Sequence, residues 1–251
     1  MLCIGLDPDP KRFPLKIRRE KDPVFAFNKA IIDATLDLAC CYKPQIAHYA
    51  AGAAEAELEK TITYIKDLGV PLILDAKRGD VGSTAANYAV EVFERYDADA
   101  VTINPYMGHD AMQPFLSFAD RGVFILCRTS NSGGADLQNL VMQDGDQLFE
   151  RVASLAANQW NSNNNVALVV GATMPAELAR IREITGDMTF LLPGIGAQGG
   201  DVAASMQAGR GGGLIVSSSR AVLYASAGDD FAEAAREVAR ATRDEINLHC
   251  Q

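Results

Sequence analysis

No stretch of this sequence is long and apolar enough to cross a bilayer as a helix, which excludes a helical membrane span. Histidine is scarce: the three present are scattered and form no His-rich metal motif. The five cysteines, Cys3, Cys40, Cys41, Cys127 and Cys250, have no metal-ligand spacing. Three of them lie within or beside apolar runs, which fits reduced, mostly buried thiols of a cytosolic protein. Positive charge is in deficit, with a formal net charge of −9, which argues against nonspecific nucleic-acid binding. A local basic pocket for a small anion is still compatible with it. No G-x-G-x-x-G follows the first apolar run, so the dinucleotide-binding fingerprint is missing. The opening "MLCIGLDPDP" enters a strand pattern with no charged leader and no apolar signal segment, implying a cytoplasmic protein without a membrane partner.

What is present is a regular alternation. Short apolar runs cover residues 2–7, 42–49, 71–77, 98–106, 122–129, 165–172, 189–196 and 213–220. Each is bounded by Gly, Pro or Asp, as suits buried parallel strands. Helical patterns lie between them, such as "AAEAELEKTITYIKDLG" and "STAANYAVEVFERY", the second with Ser83 placed as an N-cap. A final helix is predicted over "DFAEAAREVARATRDEINL". With 251 residues, 48% of them hydrophobic, the chain can bury one large core, and no linker marks a second domain. Eight strands alternating with helices predict an α/β fold, a single (β/α)8 TIM barrel over residues 1–251. A doubly wound open sheet is the alternative and takes eight parallel strands less economically. The polar, Gly-rich stretch at 131–147 is expected to decorate the barrel mouth after strand five, and "NSNNN" to be a loop entering strand six.

The third run, "LILDAKRGDVGSTA", ends in charges: Asp75, Lys77, Arg78 and Asp80. Alternation puts Ile73, Asp75 and Lys77 on one face and Leu72, Leu74 and Ala76 on the other. In a barrel the first face can point inward at the C-terminal end, where active sites sit. Gly79 permits a tight turn before Asp80. An arbitrary D-x-K-x-x-D is more simply a solvated ion-pair cluster at a strand end. Three features weigh against that reading: the strongly apolar strand, a second isolated lysine, Lys43, beside Pro44, and phosphate-site chemistry on the last two strands. "PGIGAQGGD" at 193–201 supplies glycines whose N–H groups can approach an anion. "SSSRA" at 217–221 supplies Arg220, a planar bidentate donor. The loops after strands seven and eight are the recurrent phosphate site of such barrels.

At these residues the sequence resembles the orotidine 5′-monophosphate decarboxylase family, whose D-x-K-x-x-D-[I/V] signature is similar to "DAKRGDV". The resemblance runs through "CIGLDPDP", "YKPQ", "TINPYMG", "CRTSNSG", "LLPGIGAQGGD" and "VSSSRAV", and looks most like the longer bacterial-type branch. It implies conversion of orotidine 5′-monophosphate to uridine 5′-monophosphate and CO2 in de novo pyrimidine synthesis, by a homodimeric barrel with no metal or organic cofactor. It further implies that Lys43, Asp75 and Lys77 form one subunit's catalytic network and that Asp80 enters the neighbouring subunit's site. Asp7 would contact the ribose with Lys43 and Thr84 nearby, Thr84 coming from the partner chain. Ser130 would bind the pyrimidine edge, Gln198 and Arg220 the phosphate, and Pro193 and Val81 would help line the pocket. Two departures stand out: Val81 replaces an isoleucine, and Ser219 precedes the arginine where relatives have glycine.

Two rivals remain at this level. One is a sugar-phosphate decarboxylase or aldolase on the same kind of barrel, such as keto-gulonate-phosphate decarboxylase or hexulose-phosphate synthase, using Mg2+ and an enediolate. The other is a noncatalytic nucleotide-phosphate binder. Lys43 and Ser130 favour the nucleotide reading over the first. The complete set of Lys43, Asp75, Lys77 and Asp80 argues against the second, because phosphate binding needs only the glycines and Arg220.

Overall fold

The computed structural model describes residues 1–195 and 201–250. Eight strands form one parallel sheet: β1 (Leu2–Leu6), β2 (Cys41–Pro44), β3 (Ile73–Arg78), β4 (Ala100–Ile103), β5 (Gly122–Arg128), β6 (Val166–Val170), β7 (Phe190–Pro193) and β8 (Leu214–Ser218). Their order is β2-β1-β8-β7-β6-β5-β4-β3. Parallel bridges Tyr42↔Leu72 and Gln45↔Asp75 join the two end strands and close the sheet into a barrel. Each strand is followed by a helix: α1 (Pro23–Thr35), α2 (Glu55–Asp67), α3 (Gly82–Val90), α4 (His109–Leu116), α5 (Leu148–Asn158), α6 (Pro175–Thr185), α7 (Val202–Ala208) and α8 (Phe231–Leu248). The predicted (β/α)8 architecture is thus the one observed. Among the described residues no helix is long and apolar enough to cross a membrane.

The period of two along each strand sorts the side chains into two cores. Outward-facing Leu2, Ile4, Leu6, Leu72, Leu74 and Val101 pack with the helices in the larger one. Inward-facing Cys3, Cys41, Ile73, Ala100, Phe124, Ala167, Val169 and Leu191 fill the barrel's interior. Two residues further along the same inward faces come Lys43 after Cys41, Asp75 after Ile73 and Leu126 after Phe124. Pro193 after Leu191 and Ser217 after Ile215 complete the series, and all five line one cavity. On β2, β3 and β8 this step changes apolar to polar, while on β5 and β7 the lining stays apolar, so the floor opens into a mouth of mixed character.

Several local expectations are corrected. The second run does not continue as a strand to residue 49: β2 ends at Pro44, and a short helix, Ile46–Ala50, begins at once. The Gln45 side chain accepts a hydrogen bond from Ala47 N (2.7 Å) and caps that helix. Ser83 is not the N-cap of α3, since Val81 holds the cap position in extended geometry and Ser83 lies in the first turn. The helix expected over 83–96 changes character at Glu91, where a π-helical turn, Glu91–Arg95, takes over. The 131–147 stretch is more ordered than its composition suggests. It contains a short helix, Ala135–Gln138, and Gln138 Oε1 accepts from Thr129 N (2.9 Å) and Arg128 Nη1 (3.2 Å), fastening the segment to the end of β5.

Glycine allows two close approaches at the mouth. A Cβ on Gly171 would lie 2.8 Å from Ser130 N, and one on Gly5 would lie 2.7 Å from Ser219 Cβ. Gly5 sits in β1, which pairs with β8, so the second contact sets how closely the chain leaving β8 can cross β1. We expect Gly5→Ala to cost about 1–3 kcal/mol by overpacking. Adding Ser219→Gly should recover most of that loss. Urea unfolding of the two single variants and the double variant measures the coupling, and simple additivity would contradict this contact.

Candidate active site

The inner end of the mouth is built on the end of β3. Asp75 is 6% exposed. Its Oδ2 accepts from Lys43 Nζ at 2.9 Å, and its Oδ1 accepts from Lys77 Nζ at 2.5 Å and Thr102 Oγ1 at 2.8 Å. The two lysines differ: the Lys43 side chain is 7% exposed, whereas that of Lys77 is 44% exposed and reaches the cavity. Burial works against charge on Asp75, but Lys43 and Lys77 outweigh it and hold the carboxyl well below the usual carboxylate range. Burial likewise works against the Lys43 ammonium, and Asp75 and then Asp7 outweigh it, raising its pKa. A single pair ~4 Å apart gains about 4 kcal/mol at an effective dielectric of ~20. Burying an ion costs several kcal/mol. Two ammoniums on one carboxylate are therefore what keeps Asp75 ionised.

Lys77 also has an unusual backbone, with φ of +47°. For a residue with a Cβ this left-handed conformation costs about 1–2 kcal/mol. It occurs where the β3–β4 register shifts, between Leu74 and Arg78. Arg78, next in sequence, is drawn off the barrel by Glu91, which accepts from its Nε at 3.1 Å and its Nη2 at 2.8 Å. The guanidinium also lies over the Tyr88 ring. Arg78 thus belongs to the scaffold, and its neighbour Lys77 to the site.

The cavity encloses 440 Å³ and brings together most of the residues singled out in the sequence: Asp7, Lys43, Asp75, Lys77, Ser130, Pro193 and Arg220. Asp7 follows β1, and its Oδ2 accepts from Ser219 Oγ at 2.5 Å. Its Oδ1 is buried without a partner among the described residues. The departure from glycine at Ser219 thus has a structural consequence: the hydroxyl orients Asp7. Pairing of Pro193 with Ser217 sets the ends of β7 and β8 side by side, as the phosphate-site reading requires. Arg220 opens a short helix, Arg220–Leu223, at the exposed rim. Gln198 lies outside the described residues.

Asp80, Val81 and Thr84 do not line this chain's own cavity. Val81, expected to help line the pocket, is 54% exposed in the single chain. Asp80 Oδ1 accepts from the adjacent Val81 N at 2.8 Å. The sequence reading also missed residues. Leu126 and Val169 form an apolar wall, Thr129 lies beside Ser130, and Thr102 touches Asp75. The only signal for Thr102 was a hydroxyl inside an apolar strand, which β-propensity alone explains.

The sequence model described as "Orotidine 5'-phosphate decarboxylase / HUMPS family" matches residues 1–238. An orotidine 5'-phosphate decarboxylase of Cellvibrio japonicus is 61% identical over 99% of this chain and 93% of its own length. The structure of Leishmania donovani OMP decarboxylase superposes with a TM-score of 0.81 at 39% identity, covering 97% of this chain and 93% of that one. Leishmania donovani UMP synthase superposes at 0.84 with 40% identity, and there this chain spans 54% of the longer protein.

The charge array predicts a stability contrast. Asp75→Asn leaves two ammoniums facing one another and should cost about 3–5 kcal/mol at neutral pH. Glu59→Gln, which breaks an exposed pair with Arg95, should cost within about 1 kcal/mol. Because the Asp75 carboxyl is held below its ordinary value of 3.8, its contribution is complete above that value and is lost as pH falls through the folded-state pKa. The gap between wild type and Asp75→Asn should therefore narrow below about pH 4. Urea unfolding across pH tests this, and a gap that widens in acid would refute the assignment.

Proposed function

This chain belongs to the orotidine 5'-phosphate decarboxylase / HUMPS family, and we propose that it converts orotidine 5′-monophosphate to uridine 5′-monophosphate and CO2 as a step of pyrimidine synthesis. It is a carboxy-lyase. The observation that carries the mechanism is the contact of one buried carboxylate with two ammoniums at the inner end of the cavity.

In this reading the substrate phosphate lies at the rim against Arg220 and the segment after β7. The free Asp7 Oδ1 takes a ribose hydroxyl, and Ser130 takes the pyrimidine edge. Breaking the C6–carboxylate bond leaves its electron pair on C6, in the ring plane, where the π-system delocalises it poorly. The Lys77 ammonium stabilises that charge and donates a proton to C6, and the resulting amine regains a proton from solvent. Lys43 and Asp75 hold the ammonium in place before reaction, so little reorganisation accompanies charge development. Repulsion between Asp75 and the substrate carboxylate is a smaller effect. It supplies about 4 kcal/mol at ~4 Å and an effective dielectric of ~20. The most demanding ordinary enzymatic accelerations require about 23 kcal/mol. The larger share therefore falls to carbanion stabilisation and to phosphate binding energy realised in the transition state.

The reading includes a homodimer, with the whole chain acting as a single barrel domain in the cytoplasm and without a nucleic-acid or membrane partner. One chain supplies two lysines but only Asp75 to the array, and a neighbouring Asp80 would make it formally neutral. Support comes from the loops after β3 and β4, which expose Val81 (54%), Tyr106 (78%) and Met107 (49%). A second copy covering them would bring Asp80 and Thr84 to the other subunit's cavity.

Two experiments test these statements. Turnover of orotidine 5′-monophosphate should survive exhaustive chelation, because lysine supplies the cation where the sugar-phosphate rival uses Mg2+. Activity restored only by Mg2+, or confined to a sugar phosphate, would refute the assignment. The second experiment mixes Lys77→Ala with Asp80→Ala. Each homodimer should be severely impaired. After co-refolding in equal amounts, random pairing gives about half mixed dimers, each with one intact site, so about one quarter of wild-type site activity should return. Heterodimers verified by mass that recover nothing would rule out the exchange of Asp80.

A further inference from the structure

Thr102 lies on β4 and is 1% exposed. Its Oγ1 accepts from Ala76 N and from Lys77 N, both at 3.0 Å, and donates to Asp75 Oδ1 at 2.8 Å. These directions are forced. Two backbone N–H groups can only donate, so the hydroxyl's single proton must go to the carboxylate. Both lone pairs and the proton are used, so this one hydroxyl bonds the carboxylate and the backbone of β3 together.

The backbone shows why this matters. Between the pairs Leu74↔Val101 and Arg78↔Ile103, β3 advances four residues while β4 advances two. The extra residues bulge from the ladder, and Lys77 adopts its left-handed φ within the bulge. A bulge re-aims side chains but leaves backbone groups unpaired. The Thr102 hydroxyl takes the two N–H groups at that point. The same oxygen orients Asp75 Oδ1, on which the Lys77 ammonium rests at 2.5 Å.

We propose that Thr102 is a positioning residue for the decarboxylation: it fixes the β3 bulge and the Asp75 carboxylate in one geometry and thereby aims Lys77 at the reacting carbon. The inference rests on the decarboxylase reading and extends it to a residue outside the charge array. Thr102 does not line the cavity, so it acts through Lys77 and Asp75.

The test compares Thr102→Val, which keeps the shape and loses the hydroxyl, with Thr102→Ser, which keeps the hydroxyl. Misplacing a reacting group by ~1 Å costs about 10²-fold, so Thr102→Val should lose about that factor in kcat. KM for orotidine 5′-monophosphate and Kd for uridine 5′-monophosphate should stay within ~3-fold, because the phosphate and ribose contacts lie elsewhere. Thr102→Ser should keep kcat within ~3-fold of wild type. A wild-type kcat in Thr102→Val overturns the inference. So does a parallel loss of kcat and nucleotide affinity, or a serine variant as impaired as the valine one, since either reduces Thr102 to general packing. If the valine variant does not fold, Thr102→Ala replaces it, and a wild-type kcat there overturns the inference equally. Wild-type turnover in the same assay reads the decarboxylase assignment on its own.

Discussion

One carboxylate organises the mouth of this barrel. Asp75 lies where the apolar inner face of β3 ends, and it receives hydrogen bonds from Lys43, Lys77 and Thr102. Each partner comes with a structural condition. Lys43 requires β2 to stop beside β3, which the Gln45↔Asp75 bridge achieves as it closes the barrel. Lys77 requires a bulge and a left-handed backbone. Thr102 requires β4 in the register that sets its hydroxyl under that bulge. Removing the charge would leave the Lys43 contact between β2 and β3 and the placement of the Lys77 ammonium unsupported at the same point. A buried ion pair is weak support for stability in general. In the proposed function its role is to hold the Lys77 ammonium in place before reaction.

The cavity has a division of labour that follows the strands around the barrel. The side nearest β2, β3 and β4 carries the fixed charges. The β5 and β6 side is apolar, through Leu126 and Val169, with Ser130 at its upper edge. The β7, β8 and β1 side carries Pro193, Ser217, Ser219, Arg220 and Asp7. A nucleotide with an anionic end, a hydroxylated middle and a flat ring matches that sequence of surfaces. Close backbone approaches make it compact: Gly171 lets the Ser130 segment settle over β6, and Gly5 lets Ser219 reach Asp7.

Much of this was legible from residue pattern alone. Alternation along "LILDAKRGD" puts Asp75 and Lys77 on the inward face; Asp75 follows it, while Lys77 reaches the cavity through the bulge. The glycine-rich and "SSSRA" segments were expected at adjacent strand ends, and Pro193 pairs with Ser217. The failures are local and share a cause. Ser83 has the chemistry of an N-cap, but the chain enters α3 two residues earlier, with Val81 at the cap and Gly82 first in the helix. Residues 45–49 carry strand-like hydrophobicity, yet a capping side chain at Gln45 turns them into helix. In both places a hydrogen bond or backbone turn specific to the folded chain outweighs a propensity that differs by less than about 1 kcal/mol per residue.

The sequence by itself determined the number and order of the strands, the inward placement of the charges on β3, and the chemical character of the rim. Periodicity and residue type are enough for these, since both are properties of neighbouring residues. Tertiary structure alone decided that Thr102 meets Asp75 across 27 residues of chain and that Ser219 meets Asp7 across 212. It also decided that Asp80 stays outside its own cavity. Those outcomes depend on strand register and on where a bulge falls, and both are set by the packing of the closed barrel rather than by any local run of residues.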